Sequence, residues 1–473
     1  MDGATYLKAK GKRSGEVCRS AAGPRAAPFP LGPSVIRAGL GRAINDLARL
    51  SEIGIIFVCA LLAPAAEFSA SAVKVDITPS ASKWLAGYPA RRSTGVHDRL
   101  YHRIVAMDDG QTQFFLVSSD LCLFAPSVYD EATAQLKKET GIEPVQVWWT
   151  VTHTHSAPEV GPHGLLKLMM PERYTHEPDQ EYTASVERAL IDGIKKARSE
   201  LVPARLAFGT GYSAANMNRR ARDPDGRISL GLNPDGPADR QVGLIRIERT
   251  DGPIVALIAN YSMHGTALGP HNTLISGDAP GIVEAYVEEK LGAPMLYVNG
   301  AAGNLAPIYT VQEDFRAAHI TEFNVLLGDR ILAANRSLAP ASARVSIREG
   351  ESFVETPRRK GFGWDESLGG YLQAGKGESG AIRFPIRFAI VNDELALWSA
   401  PVELFCEISL NVRSRSPYPH TFYFGYANGW LGYLATRQAF SEGGYETQTN
   451  PFTDRVEEDL TKTVLTYLDG HGR

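Results

Sequence analysis

Two hydrophobic periods trade places along this chain, and that alternation limits the fold more than any other feature. From about residue 72 onward, stretches with a period of two residues give way to stretches with the helical period, and back again. The spacing predicts strands at Ala72–Ile77 and Arg103–Val117, the second folded as a hairpin at Asp109-Gly110. A polar-faced helix is expected at Val128–Thr140, a buried strand at Val145–Val151, a long amphipathic helix at Asp179–Leu201 and a strand at Arg205–Gly209. Val242–Glu248 and Ile254–Tyr261 flank the turn signal Thr250-Asp-Gly-Pro253. Then come a helix at Ala279–Leu291, a short strand at Met295–Val298 and a helix at Phe315–Asn335. Residues 352–382, rich in Gly and charge, read as a long surface loop. A hairpin at Phe384–Trp398, a helix at Pro401–Arg413, a strand at Thr421–Tyr426 and a helix at Glu457–Leu468 complete the pattern. Hairpins mixed with strand–helix alternation predict an α/β fold of mixed β-sheets with flanking helices, not a doubly wound parallel sheet. No linker, repeat or heptad breaks residues 67–473, so a single large domain is expected there.

Residues 1–66 read differently. The first fifty carry nine Lys and Arg against three Asp and Glu, and the apolar run Ile53–Ala63 follows, with small residues behind it. A basic flank, an apolar stretch too short to span a bilayer and a small-residue end match a leader with a signal-peptide-like segment. Export, to a periplasm or the medium, is the expectation, against a buried core helix as the alternative. Without the leader the chain holds 40 Lys and Arg against 49 Asp and Glu. No basic excess exists to pair with phosphates, so nucleic acid is not an expected partner. Four cysteines in 473 residues exclude a disulfide scaffold, and the sequence leaves open whether Cys122 and Cys406 pair.

The candidate chemistry gathers where strands end. In Trp149-Thr-Val-Thr-His153-Thr-His155-Ser, the two histidines stand two residues apart and share a face. Both could ligate a metal, or one could ligate while the other moves protons, or the two could be a hydrogen-bonded pair in a turn. His264 follows the strand Ile254–Tyr261. Asp278 precedes a helix, where it either caps the helix or orients an imidazole. Glu403 follows Pro401, which suits a first helical turn and the helix dipole if the carboxylate is exposed. If it is buried beside Trp398 and Phe405, it needs a cation or a metal. The small-residue loop Val298-Asn299-Gly-Ala-Ala-Gly-Asn304 leaves room for a ligand or makes a tight turn, and the aromatic stretch Phe422–Tyr433 reads as core packing.

Taken in order, Thr152-His-Thr-His-Ser156, the strand ending in His264, Asn299…Gly303-Asn-Leu-Ala-Pro307, Ala400-Pro-Val-Glu403 and Gly425-Tyr-Ala-Asn428…Tyr433 resemble the neutral ceramidase family. Gly87-Tyr88, Gly95-Val-His97-Asp-Arg99, Ser119-Asp120 and Asn218-Arg219 support it, and the likeness runs from about residue 72 to 468. The resemblance implies the catalytic domain of a zinc amidase that cuts the N-acyl bond of ceramide through a zinc-activated water. It implies Zn2+ on His153, His264, Glu403 and Tyr433. His155 would transfer a proton to the leaving amine, Arg219 would meet a developing oxyanion, and Tyr445 is a looser match to an active-site tyrosine. His97, Asn299 and Asn304 fall at positions expected to bind substrate. The implied partner is a lipid-like small molecule, with peripheral membrane contact open and no protein partner implied. Ala306 stands where the family carries a serine, so no serine nucleophile is available at that position. The family's C-terminal immunoglobulin-like domain has no counterpart in the chain. Two readings compete with a ceramidase-like hydrolase. One is the same scaffold acting on a different amide, peptide or ester; the other is a non-catalytic descendant that binds lipid or glycan.

Overall fold

Trp148 and Trp149 are neighbours in sequence, fully buried, and belong to different cores. A strand buried at every position must be covered on both faces, and this one is. The structure, a computed structural model, describes residues 67–308, 320–373 and 380–472, all within one compact unit. The leader expected over 1–66 lies outside the described residues, as does the start of the helix expected at Phe315–Asn335.

The larger sheet has eight strands: β1 (Ser69–Asp76), β2 (Tyr101–Asp108), β3 (Gln113–Ser119), β4 (Val147–Val151), β5 (Val202–Tyr212), β6 (Gln241–Arg249), β7 (Ile254–Tyr261) and β8 (Met295–Asn299). Their spatial order is β8-β7-β6-β5-β1-β2-β3-β4. The smaller sheet is built on β9 (Ile347–Pro357), β10 (Ala381–Val391), β11 (Leu395–Ser399) and β12 (His420–Phe424), in that order. Most neighbours are antiparallel. The parallel pairs are β3/β4, β7/β8 and β11/β12. A parallel pair needs a crossover, and a helix supplies each one: α1 (Pro126–Thr140), α2 (Gln180–Ser199) packs beside it, α3 (Asp278–Leu291) joins β7 to β8, and α4 (Cys406–Arg415) joins β11 to β12. The helix α5 (Val456–His471) closes the chain.

These elements stack as helix, sheet, sheet, helix. Between the sheets lie Val105, Met107, Leu116, Trp148, Ile245, Ile258 and Val298 against Val391, Leu397, Phe422 and Phe424. On the outer face of the large sheet, Ile104, Ala106, Val117 and Trp149 meet α1 and α2. Val283 and Val287 of α3 cover its other half. Ile382, Phe384 and Phe388 meet Leu460 and Val464 of α5 on the far side of the small sheet. The mixed-sheet α/β expectation holds.

Two expectations are corrected. Residues 352–382 are not one long loop, because β9 pairs with β10 in unbroken register from Ile347↔Val391 to Pro357↔Ala381. β9 is an edge strand, and Glu355, one of the charges that mimic a loop, alternates with Val354 and Thr356, which are buried. The helix expected from Pro401 starts only at Cys406, since Glu403-Leu404 is extended and pairs in parallel with Tyr433-Leu434.

Candidate metal centre

The carboxyl ends of the parallel strands point to one place, the usual position for a site in an α/β sheet. His153 lies just past β4, His264 just past β7, and Glu403 just past β11. His153 Nε2 is 3.4 Å and His264 Nε2 3.1 Å from Glu403 Oε2. All three residues are buried. With bonds of about 2.0–2.1 Å, a tetrahedral metal spaces its donors about 3.3 Å apart, so both imidazole nitrogens already stand from the carboxylate oxygen at the separation an ion would ask for.

Each donor is aimed by a partner. His153 Nδ1 bonds the Cys122 carbonyl at 2.8 Å, and His264 Nδ1 bonds the Leu305 carbonyl at 3.0 Å. A carbonyl takes only a donor, so both rings carry hydrogen on Nδ1 and turn an Nε2 lone pair inward. His264 Nε2 is buried without a hydrogen-bond partner. Trp430 Nε1 donates to Glu403 Oε1 at 2.9 Å, and the Tyr426 hydroxyl donates to Oε2 at 3.3 Å. Those four partners carry no signal of their own in the sequence, apart from the aromatic stretch that holds Tyr426 and Trp430. The donor set and the inward lone pairs fit a divalent metal.

Backbone geometry locks the centre. His153, Tyr426 and Asn428 have φ of 62°, 53° and 63°, a left-handed conformation that non-glycine residues adopt only when held. Asn428 does the holding between β12 and β4: its N–H donates to the Trp149 carbonyl and its Oδ1 accepts from the Trp149 N–H, both at 2.8 Å. Gly303 lets the Asn299–Asn304 loop approach Glu403, since a Cβ there would come within 2.7 Å of the Glu403 carbonyl.

Burial disfavours a charge on every imidazole here. At His153 the nearby Glu403 outweighs it and raises the ring to about 10. At His264, burial, Arg219 and His153 together push the value down to about 3. His155 is likewise held well below its ordinary value, by burial first and then by His153 and His264. Glu403, despite burial, is kept ionised by His153 and His264. The carboxylate thus holds a proton on His153 Nε2 where a cation would sit, and a bound metal would displace that proton and leave the Nε2 lone pair facing inward.

The other expected site residues divide. His155 joins the cluster, its Nε2 3.2 Å from His153 Nε2 and its ring edge-on to Tyr88. Gly87 makes room for it, at φ +87° and with a Cβ position 2.4 Å from His155 Nδ1. Tyr433 lies beside Glu403 in register, and its hydroxyl accepts from Arg219 Nη2 at 3.1 Å. Burial and the Glu403 charge push that hydroxyl well above its ordinary value. Arg219 also donates to the Gly303 carbonyl and to Glu446 Oε1. Burial works against its charge, but Tyr433, Glu446 and Glu403 hold it. It sits on the strand Asn216–Arg222, which the sequence pattern hides because so few of its residues are apolar. Tyr445 packs edge-on to Tyr433.

Three do not reach the cluster as ligand contacts. Asn299 donates to the Met263 and Thr152 carbonyls and accepts from the Met263 N–H. Asn304 donates to Glu407 and accepts from the Cys406 N–H. Both amides are fully buried and engaged inside the protein, which makes them positioning groups. His97 is exposed and paired with Asp98. Among the described residues Asp278 binds no imidazole; its carboxylate accepts from the N–H groups of Ala267, Leu268 and Ala279, fixing the loop after His264. Glu403 is not in a first helical turn, so the dipole reading is replaced by the buried one. Ala306 lies buried in the short strand Leu305–Pro307. Cys122 and Cys406 are both free and buried.

Among known proteins, a neutral ceramidase of Pseudomonas aeruginosa is 26% identical over 251 residues, 50% of this chain and 36% of that protein. One from Mycobacterium tuberculosis is 26% identical over 229 residues, 46% and 35% of the two chains. Neutral ceramidase A of Dictyostelium discoideum is 29% identical over 229 residues, 46% and 31%. The match thus spans about a third of the length of these relatives. The crystal structure of the Pseudomonas aeruginosa neutral ceramidase superposes with a TM-score of 0.69 at 18% identity, covering 86% of this chain and 75% of that one, a likeness of fold. The model of the neutral/alkaline non-lysosomal ceramidase N-terminal region matches residues 68–308, half of the chain. The chain belongs to the neutral/alkaline non-lysosomal ceramidase family.

Proposed function

We propose that this chain is a zinc-dependent amidohydrolase that cleaves the N-acyl amide bond of ceramide or a related N-acyl lipid. The observation that carries the proposal is the convergence of His153, His264 and Glu403 on one point with their lone pairs turned inward. Family membership supports the substrate class. Zinc is the ion of choice for two imidazoles, a carboxylate and a nearby phenol, and when bound it activates a water and polarises the acyl carbonyl. Tyr433 is the fourth donor in this reading.

The chain's own residues do the rest. His155 is neutral and adjacent to the donors, so its Nε2 takes the proton that the attacking water loses and returns it to the departing amine nitrogen. Arg219 keeps a fixed positive charge against the Tyr433 oxygen and steadies negative charge that develops beside it. Tyr445, edge-on to Tyr433, lines the approach.

The test is a ceramide hydrolysis assay on protein stripped of metal and then titrated with zinc. Activity should rise with zinc, and Glu403→Gln should weaken zinc binding more than about 100-fold, beyond the usual effect of changing an outer-shell partner. Protein that holds no zinc, or a Glu403→Gln variant as active as the parent, refutes it. Ala306 favours a second reading, the same chemistry on another amide or ester. N-acyl amino acids assayed beside ceramides of several chain lengths decide between the two. Export belongs to the proposal as well, carried by the basic flank and the apolar run before residue 64. Recovery of the full-length chain in the cytoplasm alone counts against it. Among the described residues no helix is long and apolar enough to cross a membrane.

A further inference from the structure

A second group of metal-ligating side chains lies outside this centre. Glu159 Oε2 receives His176 Nε2 at 2.8 Å and His163 Nε2 at 3.1 Å. The three side chains are about nine-tenths buried. Among the described residues, Glu159 has no Lys or Arg within ion-pair distance. A carboxylate this enclosed needs a cation, and among the described residues the two imidazoles are the partners its side chain has. A carboxylate accepts only hydrogen, so without an ion each Nε2 carries the hydrogen it gives to Glu159; an ion would replace that hydrogen, and the unpartnered Nδ1 of each ring is free to carry it instead. Both rings are also held in place, His176 stacked on Trp84 with centroids 4.2 Å apart and His163 against Tyr174 at 4.8 Å.

We propose that Glu159, His163 and His176 form a second divalent metal site, separate from the His153–His264–Glu403 centre, and that its two-nitrogen, one-oxygen donor set takes zinc. The two nitrogen-to-oxygen separations fall a few tenths of an ångström short of the ~3.3 Å edge of a tetrahedral site, so a small opening admits an ion. The site has a structural consequence. Glu159 lies on the segment that runs beside Trp84, its N–H donating to the Trp84 carbonyl. The chain then makes an excursion through Leu165–Met169 and returns at His176. That excursion puts Met170 and Arg173 against Tyr445, which packs on Tyr433. An ion between Glu159 and His176 ties the two ends of the excursion together and so holds this cover over the central site.

The experiment uses the full chain with zinc as the probe. Protein is stripped with chelator, loaded with excess Zn2+, dialysed and analysed for metal. His163→Gln and, separately, His176→Asn should each hold one equivalent less than the parent, while His264→Gln loses a different equivalent and the loss adds to theirs. In the His264→Gln background, zinc should also slow tryptic cutting after Lys167 and Arg173 by tenfold or more. Equal zinc content in the parent and in both loop variants, each shown to be folded by circular dichroism, overturns the proposal. So does tryptic cutting at Lys167 and Arg173 that zinc does not change. Because the loop variants leave the central donors intact, this outcome is independent of whether the central site binds zinc or cleaves ceramide.

Discussion

Asn299 offers a sharp test of how the fold aims the site. It ends β8, and its amide joins two loops: it donates to the Thr152 carbonyl just before His153, and it both donates to and accepts from Met263, just before His264. Leucine matches its size but has no polar atom. Asn299→Leu strands the Met263 N–H and weakens two carbonyl partners in a fully buried place. At about 1–3 kcal/mol for each stranded group, the three lost bonds predict a fall of about 3 kcal/mol or more. Part of the Met263 carbonyl's loss is covered, since the Tyr297 hydroxyl also reaches it at 3.3 Å. The two imidazoles should drift with their loops, and a positioning defect of this kind weakens metal binding about 10–100-fold. Denaturant unfolding of the metal-free protein measures the first effect, and zinc titration against a competing chelator measures the second. A variant that loses less than about 1 kcal/mol and binds zinc as the parent does would show that Asn299 does not hold the donors in place.

The remaining predictions use other parts of the structure. Gly87→Ala places a Cβ on His155 and should lower kcat by about 10²–10⁴ with little change in KM; parental kcat would remove His155 from proton transfer. Arg103 bridges Asp120 and Glu284, all three essentially inaccessible, and also bonds Glu288. Arg103→Met leaves Asp120 and Glu284 without their cation, while Glu288 keeps Lys74, and should cost about 3–5 kcal/mol in an unfolding titration. Asp278 is raised from 3.8 to about 6, chiefly by burial, against its three backbone donors. An acid raised by folding contributes stability that is present below its unfolded value and is lost as pH rises through its folded one. Unfolding free energy should therefore decline between about pH 4 and pH 6 relative to Asp278→Asn, and parallel curves for the two proteins would contradict the assignment.

What the sequence made legible follows its period. The run Val147–Val151 is apolar at every position but Thr150, so its burial and the strand-end placement of His153 could be read directly, as could the hairpin signal that sets β7 before His264. Glu403 was harder. Pro401 just ahead of it mimics a helix start, and the extended pairing with Tyr433-Leu434 that overrides the signal comes from a segment 30 residues later. β9 and Asn216–Arg222 escaped because edge and site strands carry charge where core strands carry Val and Ile. Asn299 and Asn304 were legible as special residues, but not that their amides would turn inward, because that depends on which backbone groups the fold leaves unpaired. His163 and His176 offered only an i, i+4 relation between Glu159 and His163; the third member arrives from the far end of a loop.

Each donor of the central trio comes from a different crossover unit, and the last of them is locked by Trp430. Synthesis runs from the amino end, so His153 and His264 leave the ribosome long before Glu403 and its indole clamp exist. A nascent chain halted between residues 264 and 403 has two imidazoles and no carboxylate to close on an ion. On the proposed reading, charging with metal is therefore a late event in the life of this protein. It waits for the second sheet to dock on the first, and it reports that docking more faithfully than the formation of either sheet alone.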